Sequence, residues 1–168
     1  EVTATNGSLG VTGKIASAKN VNLTSTGKIN LESIVTAKEK LTATSSNEDV
    51  LLTNTSSVSA TSAEITGQNV SISGTILTDE NLSLKAVELL TVTNELESKT
   101  GNIVLEGKEC SLEGKLATTE TGSVEVTATN GTLGIAGEIA SAGNVTLTSN
   151  ELVSLTGELS SHDDILLT

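Results

Sequence analysis

The 168-residue chain contains no phenylalanine, tyrosine, tryptophan, proline, methionine or arginine, and it has a single cysteine. The absence of aromatic rings indicates a narrow interior filled by aliphatic side chains of similar size. The absence of proline is typical of strands that donate every backbone N–H group to a neighbouring strand. Without arginine to clamp phosphates or aromatic rings to stack on bases, no nucleic-acid partner is expected.

Two further absences narrow the class of protein. No run approaches 18 consecutive apolar residues, so membrane insertion is not expected. The one cysteine, Cys110, excludes an internal disulfide, and its inward position predicts a small buried hydrophobic residue. Cross-linking of filaments through Cys110 is the alternative.

The residues that are present form a periodic pattern. Serine and threonine account for 48 residues, the apolar fraction is 36%, and the net charge is −12 from 9 lysines and 21 acidic residues. Because Val, Leu, Ile and Ala recur at regular intervals, the pattern predicts an ordered chain. The negative charge is expected to keep a strand-rich protein in solution.

The chain also repeats itself. Residues 1–26 and residues 125–150 are identical at 19 of 26 positions, at an offset of 124 residues. A shorter period is set by apolar pairs of the form V-x-L that begin at Val21, Leu82, Ile103, Val124, Val145 and Ile165, where the last four steps are 21, 21, 21 and 20 residues. A period of this length with alternating apolar residues predicts a solenoid.

Each period contains three short apolar segments separated by turn residues. The sequence therefore predicts an all-β fold, a right-handed parallel β-helix of about eight coils of 20–21 residues with three short strands per coil. Residues 1–168 are expected to form a single β-helix segment, cut from a longer repeat array and uncapped at both ends. The predicted inward-facing core ladder consists of Val21, Leu23, Ile29, Leu31, Leu82, Leu84, Ile103, Leu105, Leu112, Val124, Val126, Leu133, Ile135, Val145, Leu147, Val153 and Leu155.

Two details of this prediction stay open. In residues 41–65 the register is unclear, because Val58 and Ala60 have no obvious place in a coil. The Gly and Asn residues at the turns are interpreted as corners that need positive φ.

An antiparallel meander is the competing fold, since TATNG at 3–7 and 127–131 has the form of a hairpin turn. The fixed period favours the parallel β-helix.

Three segments resemble the repeats of filamentous haemagglutinins, in which G-[ND]-[VLI]-x-L-x-[ST] begins a coil of about 20 residues. They are residues 18–44, 100–126 and 142–168, the last of which reads AGNVTLTSNELVSLTGELSSHDDILLT. The resemblance implies a large exoprotein, secreted or held at the bacterial cell surface, with an outer-membrane two-partner-secretion transporter as partner. Such proteins are adhesins, haemagglutinins or stalks of contact-dependent inhibition toxins.

Candidate chemical sites are few. His162 beside Asp163 and Asp164 is interpreted as a hydrated corner, because no further ligand lies at metal-binding spacing. No catalytic, cofactor-binding or metal-binding residue is predicted, and no cofactor. The Thr-x-Thr pairs of ice-binding solenoids are interrupted here by Lys85, Val104, Glu106 and Glu125. Seven Asn-x-Ser/Thr sequons leave glycosylation open, at Asn6, Asn22, Asn54, Asn69, Asn81, Asn130 and Asn144.

The sequence thus predicts a non-enzymatic protein. The hypothesis is a structural shaft, a rigid spacer within a secreted or cell-surface filamentous adhesin. The alternative is a binding module in which an outer face of the coils contacts a host-cell receptor or glycan. Bundling of filaments side by side also stays open.

Overall fold

A computed structural model describes all of residues 1–168 as a β-solenoid of about eight coils, with 23 strands and no helix. Every strand pairing is parallel, so the antiparallel meander is wrong and the all-β parallel β-helix is confirmed. The strands, in chain order, are β1 (Val2–Ala4), β2 (Leu9–Val11), β3 (Ile15–Ser17), β4 (Val21–Ser25), β5 (Ile29–Leu31), β6 (Ile34–Ser45), β7 (Val50–Leu52), β8 (Ser57–Gly67), β9 (Val70–Ile72), β10 (Thr75–Thr78), β11 (Leu82–Ala86), β12 (Leu89–Val92), β13 (Leu96–Ser98), β14 (Ile103–Gly107), β15 (Glu109–Leu112), β16 (Lys115–Thr118), β17 (Val124–Ala128), β18 (Leu133–Ile135), β19 (Glu138–Ser141), β20 (Val145–Ser149), β21 (Val153–Leu155), β22 (Glu158–Ser161) and β23 (Ile165–Leu167).

The strands stack into three faces that run along the solenoid axis. We number the coils 1 to 8, beginning at residues 1, 21, 41, 63, 82, 103, 124 and 145. Face 1 contains the first strand of each coil, face 2 the second and face 3 the third, and β23 stacks on β20 as the start of a ninth, partial coil on face 1. The long strands β6 and β8 each run from face 3 of one coil into face 1 of the next, so they join these two faces into one sheet.

Residues at equivalent positions of successive coils lie directly above one another. One column of face 1 passes through Leu84, Leu105, Val126 and Leu147. Alternate residues of a strand point to opposite sides of a sheet, so this column points inward while its neighbours point outward. Because each coil advances by one strand spacing of about 4.8 Å, eight coils form a rod about 38 Å long.

The interior is one continuous aliphatic core. A single cluster of 37 buried residues runs from Val11 to Leu147 along the whole stack. All the positions of the predicted core ladder are buried except the last two, Val153 and Leu155. Val153 is half-buried and Leu155 is 41% exposed, because β21 has a neighbouring strand on one side only.

The structure resolves the register of residues 41–65. Val58 and Ala60 belong to face 3, where Val58 lies between Val35 and Ile76 and is fully buried. Between Ala37 and Lys40 the pairing of β6 with β8 shifts, so β6 carries an extra residue there. The turn between β7 and β8 is two residues longer than the turn between β5 and β6 in the preceding coil. Coil 3 therefore has 22 residues and coil 4 has 19, which hides the period in the sequence.

The expectation of positive φ at the corners is wrong. No residue other than glycine has a positive φ, and Gly122 is the only glycine that does, at 102°. Most corner glycines are instead needed because consecutive coils approach closely. A Cβ atom on Gly137 would overlap the carbonyl oxygen of Gly114 and lie 2.7 Å from the carbonyl carbon of Glu113.

Candidate functional surface of the solenoid

The corner between faces 3 and 1 is held together by a ladder of asparagine side chains. The Oδ1 atom of Asn81 accepts the N–H of Asn102 at 2.9 Å, and Oδ1 of Asn102 accepts the N–H of Ser123 at 2.8 Å. Oδ1 of Asn144 accepts the N–H of Asp164 at 3.0 Å, and Asn20 accepts from Lys40 in the same way. Each bond joins one coil to the next and satisfies a backbone donor that the turn leaves free.

Serine hydroxyls tie the coils together from inside the corners. Ser45 donates to the carbonyl oxygen of Gly27 at 2.7 Å, and Ser98 donates to that of Glu80 at 2.6 Å. Both side chains are buried, at 4% and 0% exposure. A buried hydroxyl without a partner is costly, so these bonds make polar residues compatible with an otherwise aliphatic interior.

This ladder explains the cluster of His162, Asp163 and Asp164. Asp164 occupies the asparagine position of its coil, and His162 is 83% exposed with its Nδ1 3.1 Å from Oδ1 of Asp163. No group of three or more His, Cys, Asp or Glu side chains in the structure is placed to hold a metal ion. The cluster is therefore accounted for as a corner of the solenoid.

The sequons divide into two groups. Asn69, Asn81 and Asn144 use their Oδ1 atoms to accept backbone N–H groups of the next coil. Asn6, Asn22, Asn54 and Asn130 are exposed, and their side chains form no hydrogen bond. Four sequons thus lie free on the surface, whereas three belong to the ladders.

The outer surface carries ion pairs that bridge neighbouring coils. Lys85 Nζ lies 2.8 Å from Glu106 Oε1, and Lys108 Nζ lies 2.9 Å from Glu88 Oε2. The hydrogen bond and charge of Glu88 raise the pKa of Lys108 above its ordinary value. These side chains are 41–55% exposed, so solvent screens both pairs and their contribution to stability is small.

The threonine columns of face 1 are interrupted, as the sequence predicts. Thr24, Thr44 and Thr66 are stacked in coils 2 to 4, and the same column continues with Lys85 and Glu106. The charged pair breaks the flat threonine surface in the middle of the stack. Face 1 is therefore not a continuous threonine array.

The remaining candidate groups for chemistry are the Cys110 thiol and a cluster of glutamates on the surface. Burial raises the pKa of the Cys110 thiol to about 12, so this thiol stays protonated and points into the core. Glu95, Glu113, Glu138 and Lys115 line a shallow, open depression. In it, Lys115 Nζ lies 3.6 Å from Glu138 Oε1. No hydrophobic side chain lines that depression.

The parallel coils and the continuous aliphatic core show that the chain is a β-solenoid repeat protein. A model of the haemagglutinin repeat family matches residues 1–55, 51–108 and 119–168, and the chain belongs to that family. This confirms the resemblance to filamentous haemagglutinin repeats. The family is a structural and adhesin family, is associated with two-partner secretion, and has members that are typically secreted or at the cell surface.

Neither the comparison with curated proteins nor the comparison with solved structures found a match. The structure contains no helix with the length and apolar character needed to cross a membrane.

Sequence reasoning missed the corner ladders, although their signal is present. An asparagine directly precedes the first inward residue of a coil at Asn20, Asn81, Asn102 and Asn144. Recurrence at the period of the repeat points to a contact between coils, because equivalent residues stack. The same asparagines also suit a turn conformation, which is the interpretation that the sequence alone favours.

Proposed function

We propose that this chain is a rigid spacer, a segment of the shaft of a filamentous adhesin-type exoprotein. The observation that carries the proposal is the continuity of the stack: the same columns of buried aliphatic residues pass through successive coils. A solenoid of this kind gains length with each coil without needing a new core. Its role is therefore to hold another part of the protein at a distance from the cell.

The family association extends this proposal to export and location. We propose that the chain is one β-helix segment of a longer repeat array, and that an outer-membrane two-partner-secretion transporter exports it. The mature protein is then secreted or displayed on the bacterial surface. The core ladder residues carry the role, because their burial in one cluster holds successive coils in a continuous stack.

A second candidate function has one observation in its favour. Val87 and Leu89 are 58% and 40% exposed, and they lie together at the corner between faces 1 and 2 of coil 5. Exposed aliphatic side chains are found at binding surfaces. In this alternative an outer face of the coils contacts a host-cell receptor or glycan.

The spacer role predicts that length changes in steps of whole coils. Deleting residues 82–144 joins Asn81 to Val145 in matching register and removes three coils, and a second copy of 82–144 at the same point adds three. We expect the longest dimension in small-angle X-ray scattering to fall or rise by about 14 Å, which is three strand spacings. Unchanged length in both variants would contradict the proposal.

The binding alternative is tested on the chain itself. Beads coated with the 168-residue chain are compared with albumin-coated beads for attachment to cultured epithelial cells. A spacer predicts equal attachment. Attachment above the albumin control that is lost on replacing Val87 and Leu89 with serine would support the binding module.

A further inference from the structure

The charges of this chain are distributed unevenly along the solenoid. Coils 1 and 2, residues 1–40, contain five of the nine lysines and three of the 21 acidic residues. Residues 41–168 contain the other four lysines and 18 acidic residues. The first two coils therefore have a net charge of +2, and the remainder has a net charge of −14.

The lysines of these two regions also differ in their partners. All four lysines beyond residue 40 form an ion pair with a glutamate of a neighbouring coil. Of the five lysines in coils 1 and 2, only Lys40 has such a partner, Glu64. The side chains without an acidic partner are Lys14, Lys19, Lys28 and Lys38.

Three of these unpaired lysines lie on face 3 or at its edge. Lys14 directly precedes β3 and Lys19 follows it, while Lys38 lies in β6 just after the face 3 segment of that strand, and all three are exposed. At the position equivalent to Lys14, coils 5, 7 and 8 carry Glu95, Glu138 and Glu158, and coil 6 carries Lys115. Glu158, the first residue of β22, holds the position in its coil that Lys14 holds next to β3.

The corner after face 3 repeats this reversal of charge with the same local geometry. The backbone N–H of Lys19 donates to Ser17 Oγ at 3.2 Å, and the N–H of Asp163 donates to Ser161 Oγ at 3.2 Å. Lys19 and Asp163 therefore occupy the same place in the corner, in coil 1 and coil 8.

The internal duplication shows the same contrast. Residues 1–26 and 125–150 differ at seven positions, and only two of these differences involve charge. They are Lys14 against Glu138 and Lys19 against Gly143, and both lie on face 3 or at its edge. The other five differences exchange one uncharged residue for another. The position next to the face 3 strand is therefore positive in coil 1, at Lys14, and negative in coil 7, at Glu138.

We propose that face 3 is the interface between two antiparallel copies of this chain. A two-fold axis between coils 4 and 5 places coil 1 of one copy opposite coil 8 of the other, and each pair of contacts occurs twice. This arrangement brings Lys14 opposite Glu158 and Lys19 opposite Asp163. The proposal deepens the shaft role, since it makes one shaft the lateral partner of another.

The outward column of face 3 mixes small residues with two larger ones at its middle. Ser59, Ala117 and Ala140 occupy the outward positions of coils 3, 6 and 7, whereas Leu77 and Glu97 occupy those of coils 4 and 5 and lie opposite each other across the proposed axis. At the adjoining corner the same axis places Lys99 of coil 5 opposite Asp79 of coil 4. Opposite charges at the edges of face 3 are complementary between the two copies, and they favour this arrangement.

The size of the face sets the expected strength. A strip about 38 Å long and about 15 Å wide offers about 570 Å² per copy, at the low end of specific interfaces. Each copy carries a net charge of −12, whose repulsion is screened beyond about 8 Å at physiological salt. We therefore expect a weak pair, with a Kd of about 10–1,000 µM.

Charge reversal tests the pair. Sedimentation equilibrium up to about 1 mM is expected to show dimers of the unaltered chain. The double variant Lys14→Glu/Lys19→Glu and the double variant Glu158→Lys/Asp163→Lys should each weaken association at least tenfold, because like charges then face each other. A mixture of the two variants should associate again, since every facing pair in the mixed dimer is then of opposite sign.

A matched control separates this interface from general charge effects. The exchange Lys85→Glu/Glu106→Lys lies on face 1 and should leave the Kd unchanged. A monomeric chain over the whole concentration range, dimers that survive both double variants, or a mixture that stays monomeric would each overturn the proposal.

The orientation is tested by a distance between the two copies. A spin label on Ala16→Cys is expected to lie about 34 Å from its counterpart, which is the spacing of coil 1 from coil 8. Cys110 is buried and stays unlabelled. A distance below about 20 Å would show parallel copies and overturn the antiparallel arrangement, whereas the spacer role is judged separately by the change in rod length.

Discussion

Replacing Leu105 with aspartate is expected to unfold the middle of the solenoid. Leu105 is fully buried and lies in the inward column between Leu84 and Val126. The variant loses the burial of an aliphatic side chain and places a carboxylate where no donor can reach it. Together these effects are expected to cost about 4 kcal/mol or more.

The damage should extend beyond one coil. Stability in a solenoid is a sum over neighbouring coils, so a disrupted coil 6 also removes the interfaces with coils 5 and 7. Thermal unfolding followed by circular dichroism should show a melting temperature lowered by at least about 10 °C.

The control for this variant lies one residue away. Val104→Asp places the same charge on the outward side of the same strand, where the side chain is half-buried and stacks beside the solvent-exposed Glu125 of the next coil. We expect a change of about 1 kcal/mol or less at this position. Equal destabilisation by the two variants would contradict the inward and outward assignment of face 1.

Replacing Gly137 with alanine is expected to have the second largest effect. The new Cβ atom would overlap the carbonyl oxygen of Gly114, and this clash is with backbone that cannot rotate away. Coils 6 and 7 would have to separate at this corner, at a cost of about 2–3 kcal/mol. Thermal unfolding should show a melting temperature lower by about 5–10 °C.

Gly134→Ala is the matched control. Gly134 lies in the same coil, and the nearest heavy atom to its added Cβ would be the carbonyl oxygen of Cys110 at 3.8 Å, an ordinary contact. Neither glycine has a positive φ. Alanine at position 134 should therefore be neutral or raise stability by about 0.4–1 kcal/mol. Similar melting temperatures for the two variants would show that close approach of the coils is not what requires Gly137.

The three-sided stack of coils could be predicted from the sequence because its signal is both local and periodic. Val145 and Leu147 alternate with threonine, and the same alternation returns 21 residues earlier at Val124 and Val126. Alternation of apolar and polar residues predicts a strand, and a fixed number of residues between successive strands predicts that they stack on one another. Both properties depend on side-chain hydrophobicity alone, which the sequence displays directly.

The corners could not be predicted in the same way. Glycine fits either a positive φ or a close approach of two coils, and the sequence does not distinguish the two causes. Gly122 has the first and Gly137 the second. The choice depends on where the adjacent coil passes, which is a property of the folded stack.

The surface depends on coil length as well as on composition. Coil 3 has 22 residues and coil 4 has 19, so a sequence aligned at a fixed step of 21 misplaces Val58 and Ala60. Without the correct coil lengths, the sequence also does not show which lysines and glutamates of neighbouring coils form ion pairs. The pairing of Lys85 with Glu106, and the lack of an acidic partner for Lys14, follow from the columns of the folded stack.

The central claim is that each coil advances by one strand spacing along a straight axis. Thr24 and Thr148 lie in one outward column of face 1, six coils apart. The most direct test is the distance between spin labels on Thr24→Cys/Thr148→Cys at low chain concentration. The stack predicts a narrow distribution centred at about 29 Å, and a distribution centred below about 20 Å would contradict it.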